Sequence, residues 1–405
     1  MFDTGTTAFM ILSTSLVMLM TPGLAFFYGG LASKRNILGI MMQTFASLGI
    51  TTVLWITFGY SLCFSGGEGS IIGNFDWAFL NNVPFSEAFK GADGKYPTYI
   101  FVAYQMMFAI ITPALITGAF VNRITFKAYL WFLVGWQIFV YYPFVHMVWG
   151  GGLLATMGVE DFAGGLVVHA TAGFAALASV FYVGKRQDRQ SPPNSIPLIA
   201  IGTGLLWFGW YGFNAGSELK VDDITTLAFL NTDVAASFAA VTWLIIEWVH
   251  VGKPKFIGLL TGSVAGLATI TPAAGFVPLW AAIIIGIAAS TVAYLAVQLK
   301  NRLGWDDALD VWGVHGMGGV TGMILLGVFA SSAINGQGGL IEGNGAFFAK
   351  ETISVLVAAA YAFIFTYIML ALINKITPVK VSQETELEGI DLAIHGEKAY
   401  DEGSL

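Results

Sequence analysis

The residues of this chain best placed to do chemistry are two histidines set in matching surroundings. His169 stands eight residues after Asp161 in Asp161-Phe-Ala-Gly-Gly-Leu-Val-Val-His169-Ala-Thr-Ala-Gly173. His315 stands eight residues after Asp307 in Asp307-Ala-Leu-Asp310-Val-Trp-Gly-Val-His315-Gly-Met-Gly-Gly319. In both, valine precedes the histidine and glycine follows four residues later. An imidazole changes charge near neutral pH and can give or take a hydrogen bond, so such a pair can relay a proton or hold a small polar molecule. Both lie in long apolar runs, where an ionisable group is costly and is a functional hypothesis by default. One buried histidine is as often a satisfied polar contact that fixes helix register; the mirrored spacing favours function. Asp161 and Asp307 suit a structural role, because an acid in the first turn of a helix caps free N–H groups and complements the helix dipole. Asp310, one turn further on, must find a partner inside the protein.

Other chemistry has little support. His169 and His315 alone would lack a third protein ligand for zinc, and His146 and His250 have no partner at metal-binding spacing. There is no Walker A sequence and no Thr-Val-Gly-Tyr-Gly filter. Gly150-Gly-Gly152 has no soluble strand before it and reads as close helix packing rather than a dinucleotide loop. Neither a cofactor, a metal, an enzymatic activity nor a nucleic-acid partner is expected.

The elements that position the histidines follow from composition: 56% hydrophobic and 11% charged residues, with a mean hydropathy of +0.73. This is an integral membrane protein. Its apolar runs are about 20 residues long, enough to cross ~30 Å of hydrocarbon as helices, and its 49 glycines allow close helix approach. The single cysteine, Cys63, excludes an intramolecular disulfide and reads as a small packing residue.

Eleven runs are expected to span, near 8–31, 38–64, 98–121, 128–149, 163–183, 196–215, 227–249, 256–274, 277–299, 311–333 and 352–374. With the N-terminus outside, the inner loops and tail hold 14 of the 18 Lys and Arg residues, and the outer loops hold only Lys90, Lys95, Lys220 and Lys350. The positive-inside rule therefore sets the N-terminus outside and the C-terminus inside. The first run has Asp3 before it and Lys34-Arg35 after it, the reverse of a signal peptide, and reads as retained. The fifth span then enters from outside at Asp161 and the tenth from inside at Asp307. Eight residues at 1.5 Å each bring both histidines ~12 Å inward to meet near the midplane. Spans one to five and six to ten form an inverted five-plus-five repeat with the site at its interface, and the eleventh stands outside it. The fold class is an all-α polytopic bundle.

Aromatic residues cluster toward the outer side. Tyr104 and Phe108 are one turn apart, Trp149 closes the fourth span, and Phe213 and Ser217 are one turn apart at the end of the sixth. Rings with a hydroxyl acceptor suit a small cation, which π faces attract by ~2 kcal/mol or more when desolvated. Taken singly, each ring is more often a member of an interfacial belt.

Asp161-Phe-Ala-Gly-Gly with His169, Asn214-Ala-Gly-Ser217, Met147-Val-Trp-Gly150, Thr271-Pro-Ala-Ala-Gly275 and Asp310-Val-Trp-Gly-Val-His315-Gly resemble the Amt branch of the Amt/MEP/Rh ammonium transporter family, in order and over the whole chain. The resemblance implies a homotrimer of eleven-helix protomers in the cytoplasmic membrane, each with its own narrow pore for ammonium or ammonia. Trp149, Ser217, Phe108 and Tyr104 would form an outer recruitment site, with Asp161 beneath it acting structurally and electrostatically. Phe108 and Phe213 would stack as a gate, and His169 and His315 would line the pore beyond. Phenylalanine is expected at position 104 in relatives; tyrosine keeps the π face and adds a hydroxyl. The other reading is an ammonium sensor with little net flux.

The chain divides into a transporter domain, 1–374, and a cytoplasmic tail, 375–405. The tail has seven acidic and three basic residues, which by themselves describe a solvated, partly disordered end. Its Gly389-Ile-Asp391 and His395-Gly-Glu397-Lys-Ala-Tyr400 resemble the family's tail, implying docking on the inner face and response to a PII-type signalling protein.

Overall fold

The computed structural model describes residues 2–89, 91, 95–189 and 191–400; Lys90, counted above with the outer loops, and the last five residues of the tail lie outside them. Ten helices among the described residues are long and apolar enough to cross a membrane. They are α1 (Thr4–Leu31), α2 (Ile37–Phe64), α3 (Thr98–Phe120), α4 (Phe126–Thr156), α5 (Gly165–Val183), α6 (Ile196–Glu218), α7 (Asp223–Val251), α9 (Leu279–Leu303), α10 (Trp312–Phe329) and α11 (Gly345–Ile376). Between α7 and α9 lies a shorter apolar helix, α8 (Phe256–Ile270). Within hydrocarbon every N–H and C=O needs an internal partner, which a helix supplies along its whole length. The only extended pairings among the described residues are two isolated bridges, Ala88 with Pro97 and Ile124 with Lys380.

The helices differ from the apolar runs where hydrophobicity cannot report geometry. The run 256–274 is helical only to Ile270; its 15 residues rise ~22 Å, short of the ~30 Å core. Residues 271–277 continue as a turn that is buried throughout, the condition under which irregular backbone is tolerated at membrane depth. Gly150 to Gly152 break α4 and also allow close packing: Gly150 sits against the Cys63 carbonyl in the last turn of α2, and Gly152 against the Ser70 carbonyl of the segment that follows.

Close helix contacts run through small residues. α1 lies along α6, where a Cβ on Gly202 would stand 2.2 Å from the Phe27 backbone nitrogen. α5 packs against α10, α11 and α3. One continuous apolar core joins these layers.

The tail is docked. α11 continues past the expected boundary to Ile376, after which the chain returns across the end of the bundle that carries Lys34, Arg35, Arg123 and Arg186, the basic end. Thr125 N–H donates to Val379 O at 2.9 Å and Val381 N–H to Arg123 O at 2.9 Å. The Asp391 carboxylate accepts Leu38 N–H at 3.0 Å and Gly39 N–H at 2.8 Å, satisfying donors at the start of α2 that the helix cannot pair itself. Burial pushes the Asp391 carboxyl above its usual range, against the pull of these N–H groups. Residues up to Tyr400 are thus held on the bundle.

Candidate functional site

α5 and α10 each open with a π turn, Gly165–Ala170 in one and Trp312–Gly316 in the other, and each turn contains the histidine. Such turns insert one extra residue and frequently mark functional sites. The carboxylates upstream build them. Asp161 accepts four backbone N–H groups, from Gly164 and Gly165 on one oxygen and Leu166 and Val167 on the other, at 2.7–3.0 Å. Gly164 has φ 120, a conformation that a side chain would strain. Burial raises the Asp161 carboxyl above its usual range, while the four N–H donors pull it down. Asp307 accepts Trp312 N–H at 2.8 Å. Asp310, the acid that needed a partner, pairs with Lys300 at 2.6 Å, and the same ammonium donates to Asp307 O.

The two helices cross at glycine on glycine: a Cβ on Gly173 would lie 2.1 Å from Gly316 Cα. That contact brings His169 and His315 together, with Nδ1 3.2 Å from Nδ1 and rings 5.2 Å apart at 17°. Both are buried. One proton serves that bond, so in the neutral pair one ring carries Nδ1–H with a bare Nε2, and the other accepts and carries Nε2–H. His169 Nε2 has no partner among the described residues. The pair therefore offers the lumen one acceptor and one donor.

Around the imidazoles the walls are apolar, with Leu24, Ile111, Leu115, Val168 and Val264 among them. The free space is about 10 Å³, near the minimum for one water-sized molecule. Toward the basic end, His315, Phe27 and Val264 also line an open vestibule of about 210 Å³ rimmed by Arg186, Arg189 and Asp310.

On the other side Phe108 and Phe213 close the lumen, their centroids 4.2 Å apart at 33°. Phe213 continues the stack onto His169 at 6.1 Å. Trp149 stands edge-on to Phe108 at 6.0 Å, and its indole N–H donates to Asp161 O at 2.8 Å. One aspartate thus shapes the α5 turn with its carboxylate and fixes the indole with its carbonyl. Ser217 donates to Phe213 O at 2.9 Å, leaving hydroxyl lone pairs for a donor.

The Tyr104 ring packs on Phe108 at 5.0 Å, but its hydroxyl turns to the backbone, 2.8 Å from Gly212 O, 2.9 Å from Phe213 O and 3.2 Å from Ser217 Oγ. Tyr104→Phe should therefore lower stability by about 1 kcal/mol through one lost hydrogen bond. Thermal melting checks this; an unchanged melting temperature would show that the hydroxyl's backbone bonds contribute nothing to the fold.

Trp210, not singled out from sequence, also belongs to this constellation. Trp210 stacks on His169 at 5.5 Å and 23°, and its N–H donates to Thr271 Oγ1 at 3.0 Å. Its position three residues before Phe213, on the same helix face, was the available signal. His146, one turn before Trp149, is bonded to Ser70 Oγ at 2.7 Å and Cys63 O at 3.0 Å. His250 is bonded to Tyr294. Among the described residues no group of three or more His, Cys, Asp or Glu side chains could hold a metal.

Crossing helices with a narrow lumen, a ring-closed mouth and a wide vestibule define a multi-pass membrane protein of the transporter or channel class. The model of the Ammonium Transporter Family matches residues 8–400. An ammonium transporter of Aquifex aeolicus (strain VF5) is 45% identical over 98% of this chain and 94% of its own length. Ammonium transporter Amt1 of Archaeoglobus fulgidus is 42% identical over 98% of this chain and 99% of its own. The crystal structure of Saccharomyces cerevisiae Mep2 superposes with a TM-score of 0.91 at 33% identity, covering 100% of this chain and 93% of that one. The chain belongs to the ammonium transporter family.

Proposed function

We propose that this chain passes ammonium nitrogen across the cytoplasmic membrane through a pore in each protomer. The observation that carries this reading is the continuous column of Trp149, Phe108, Phe213, His169 and His315, ending in the basic-end vestibule. Trp149, Ser217, Tyr104 and Phe108 recruit the cation, Phe108 and Phe213 gate it, and the imidazoles line the lumen. Asp161 holds the mouth, and Asp310 supports the tenth helix from below.

The lumen contains no carboxylate among its lining residues. Moving a bare ammonium ion into such a space costs tens of kcal/mol, against ~2 kcal/mol from a cation–π contact. Ammonia needs no such compensation: it donates and accepts, matching the one acceptor and one donor of the histidine pair. The ion therefore gives its proton to water at the outer mouth (NH4+ + H2O → NH3 + H3O+), and the lumen carries NH3.

The same reading takes the chain as eleven spans, with α1–α5 and α6–α10 as inverted halves, the N-terminus outside and the basic end cytoplasmic. It takes the protein as a homotrimer and the docked tail as a regulatory element that meets a PII-type protein.

Reconstituted protein assayed by solid-supported-membrane current and a lumenal pH dye tests the proposal. Ammonium-dependent flux is expected; saturable binding with no flux in either assay would favour a sensor. In the same assay Trp149→Leu should weaken recruitment by roughly 1–2 kcal/mol, up to ~30-fold in half-saturation. Ser217→Ala should cost about 1 kcal/mol. Unchanged concentration dependence and potassium exclusion in both would remove the outer cage from the mechanism.

A further inference from the structure

One buried acid on the last span has no part in lining the pore. Glu351 lies on α11, six residues after Gly345, so ~9 Å from the start of that helix. The 32 residues of α11 rise ~48 Å, leaving ~9 Å beyond the ~30 Å hydrocarbon at each end. Glu351 is therefore level with the hydrocarbon edge, yet it is 0% exposed. An acid withdrawn from water in this way is costly and is kept where the protein uses it.

Its use is visible in what it reaches. Gly327 lets α11 lie close on α10: a Cβ there would stand 3.1 Å from Phe348 Cα and 3.4 Å from Glu351 Cβ. The carboxylate then meets the segment ahead of α5, where Oε1 accepts Glu160 N–H at 2.8 Å. Oε2 has no hydrogen-bond partner among the described residues.

Residues 159–161 are neither helix nor strand, so their direction depends on bonds from outside the segment. Two such bonds flank Asp161. Glu351 takes Glu160 N–H on one side, and Pro272 O takes Phe162 N–H at 3.2 Å on the other. Between them stands the Asp161 carbonyl that accepts the Trp149 indole N–H. The α5 turn itself is held by the Asp161 carboxylate on its four N–H groups, bonds that do not involve Glu351. Removing Glu351 therefore loosens the support of Trp149 while the histidine-bearing turn keeps its own.

We propose that Glu351 is a positioning residue for the outer mouth: its carboxylate fixes the backbone at Glu160 and, through the Asp161 carbonyl, places the Trp149 ring. The inference rests on the reading of Trp149 as part of the recruitment site and gives the last span a task at that site. Glu351 is not among the residues lining the lumen or the vestibule, so it acts through the backbone and not on the passing nitrogen.

The test uses the full chain reconstituted in liposomes, with flux measured against ammonium concentration. Glu351→Gln keeps an acceptor for Glu160 N–H, and Glu351→Leu removes it at similar volume. Glu351→Leu should raise half-saturation roughly threefold or more with maximal flux within about twofold, while Glu351→Gln should stay within about twofold of wild type in both. Labelling the 12 tryptophans with 5-fluorotryptophan reads the ring directly. The fluorine resonance that Trp149→Phe deletes should shift in Glu351→Leu and stay in place in Glu351→Gln. In a Trp149→Leu background, Glu351→Leu should change half-saturation no further, because both act through one ring. An unmoved resonance and unchanged half-saturation in Glu351→Leu would overturn the positioning role. Equal impairment in the Gln and Leu variants would overturn it too, by assigning the effect to charge. If Glu351→Leu does not fold, Glu351→Ala is read by the same two measurements, and loss of folding in both would reduce Glu351 to packing between α10 and α11. Unchanged half-saturation in Trp149→Leu alone, with the resonance still shifted in Glu351→Leu, would sink the recruitment reading and leave the positioning of the ring standing.

Discussion

Asp161→Ala is expected to abolish ammonium flux and to destabilise the protein by at least ~3 kcal/mol. The carboxylate is the acceptor for four buried N–H groups, and each buried donor left without a partner costs ~1–3 kcal/mol. Water entering the gap would recover part of that. The same residue carries the carbonyl that fixes Trp149, so a relaxed α5 turn displaces the Trp149 ring along with His169. Asp161→Asn should be intermediate, because its amide keeps one oxygen but turns a donor toward two N–H groups. Thermal unfolding followed by tryptophan fluorescence, with flux measured alongside, decides the matter. An alanine variant with wild-type melting and wild-type flux would show that the α5 turn does not need its carboxylate.

The second large effect concerns ion discrimination. His169→Ala or His315→Ala removes the Nδ1–Nδ1 bond and one of the two polar groups facing the lumen. It also enlarges a space of about 10 Å³ by most of an imidazole ring, enough for about two waters. A hydrated lumen lowers the cost that excludes ions. Each variant should therefore change ammonium flux by roughly tenfold or more and admit a potassium current, while stability falls by no more than ~2 kcal/mol. Bilayer currents under ammonium and potassium gradients measure this. If both variants fail to express and assemble, with no separable transport defect, the pair is a packing contact instead.

What could be read in the sequence depended on whether the relevant physics is periodic. The helices were legible because a span is a run of apolar residues of known length. The meeting of the histidines was legible from two equal intervals placed in helices of opposite direction. Other features leave no such trace. A buried turn and a buried helix are equally apolar, so the end of α8 at Ile270 was hidden inside 256–274. An extra residue in a π turn needs no particular residue type, and the turns at Gly165–Ala170 and Trp312–Gly316 were invisible for that reason. Tyr104 showed a ring in the right place, but the direction of its hydroxyl depends on a rotamer. Asp310 announced that it needed a partner; that the partner is Lys300, from the end of α9, is a fact of tertiary packing. The tail read as a solvated segment by composition and as a docked one only by resemblance. Its acids turn out to spend their charge on backbone donors, as Asp391 does at the start of α2.

The contact of Gly173 with Gly316 bears on redesign. Backbone touches backbone there, with a built Cβ only 2.1 Å from Gly316 Cα, so the gap between the imidazoles is set by the thickness of two polypeptide chains. No side chain acts as an adjustable spacer at that crossing. Even the smallest replacement, Gly173→Ala, would force α5 and α10 apart and carry both rings out of reach of each other. An engineer seeking to admit a bulkier amine cannot widen this passage gradually at its centre. The options left are to trim the flanking wall at residues such as Val168 or Leu115, or to give up one imidazole altogether.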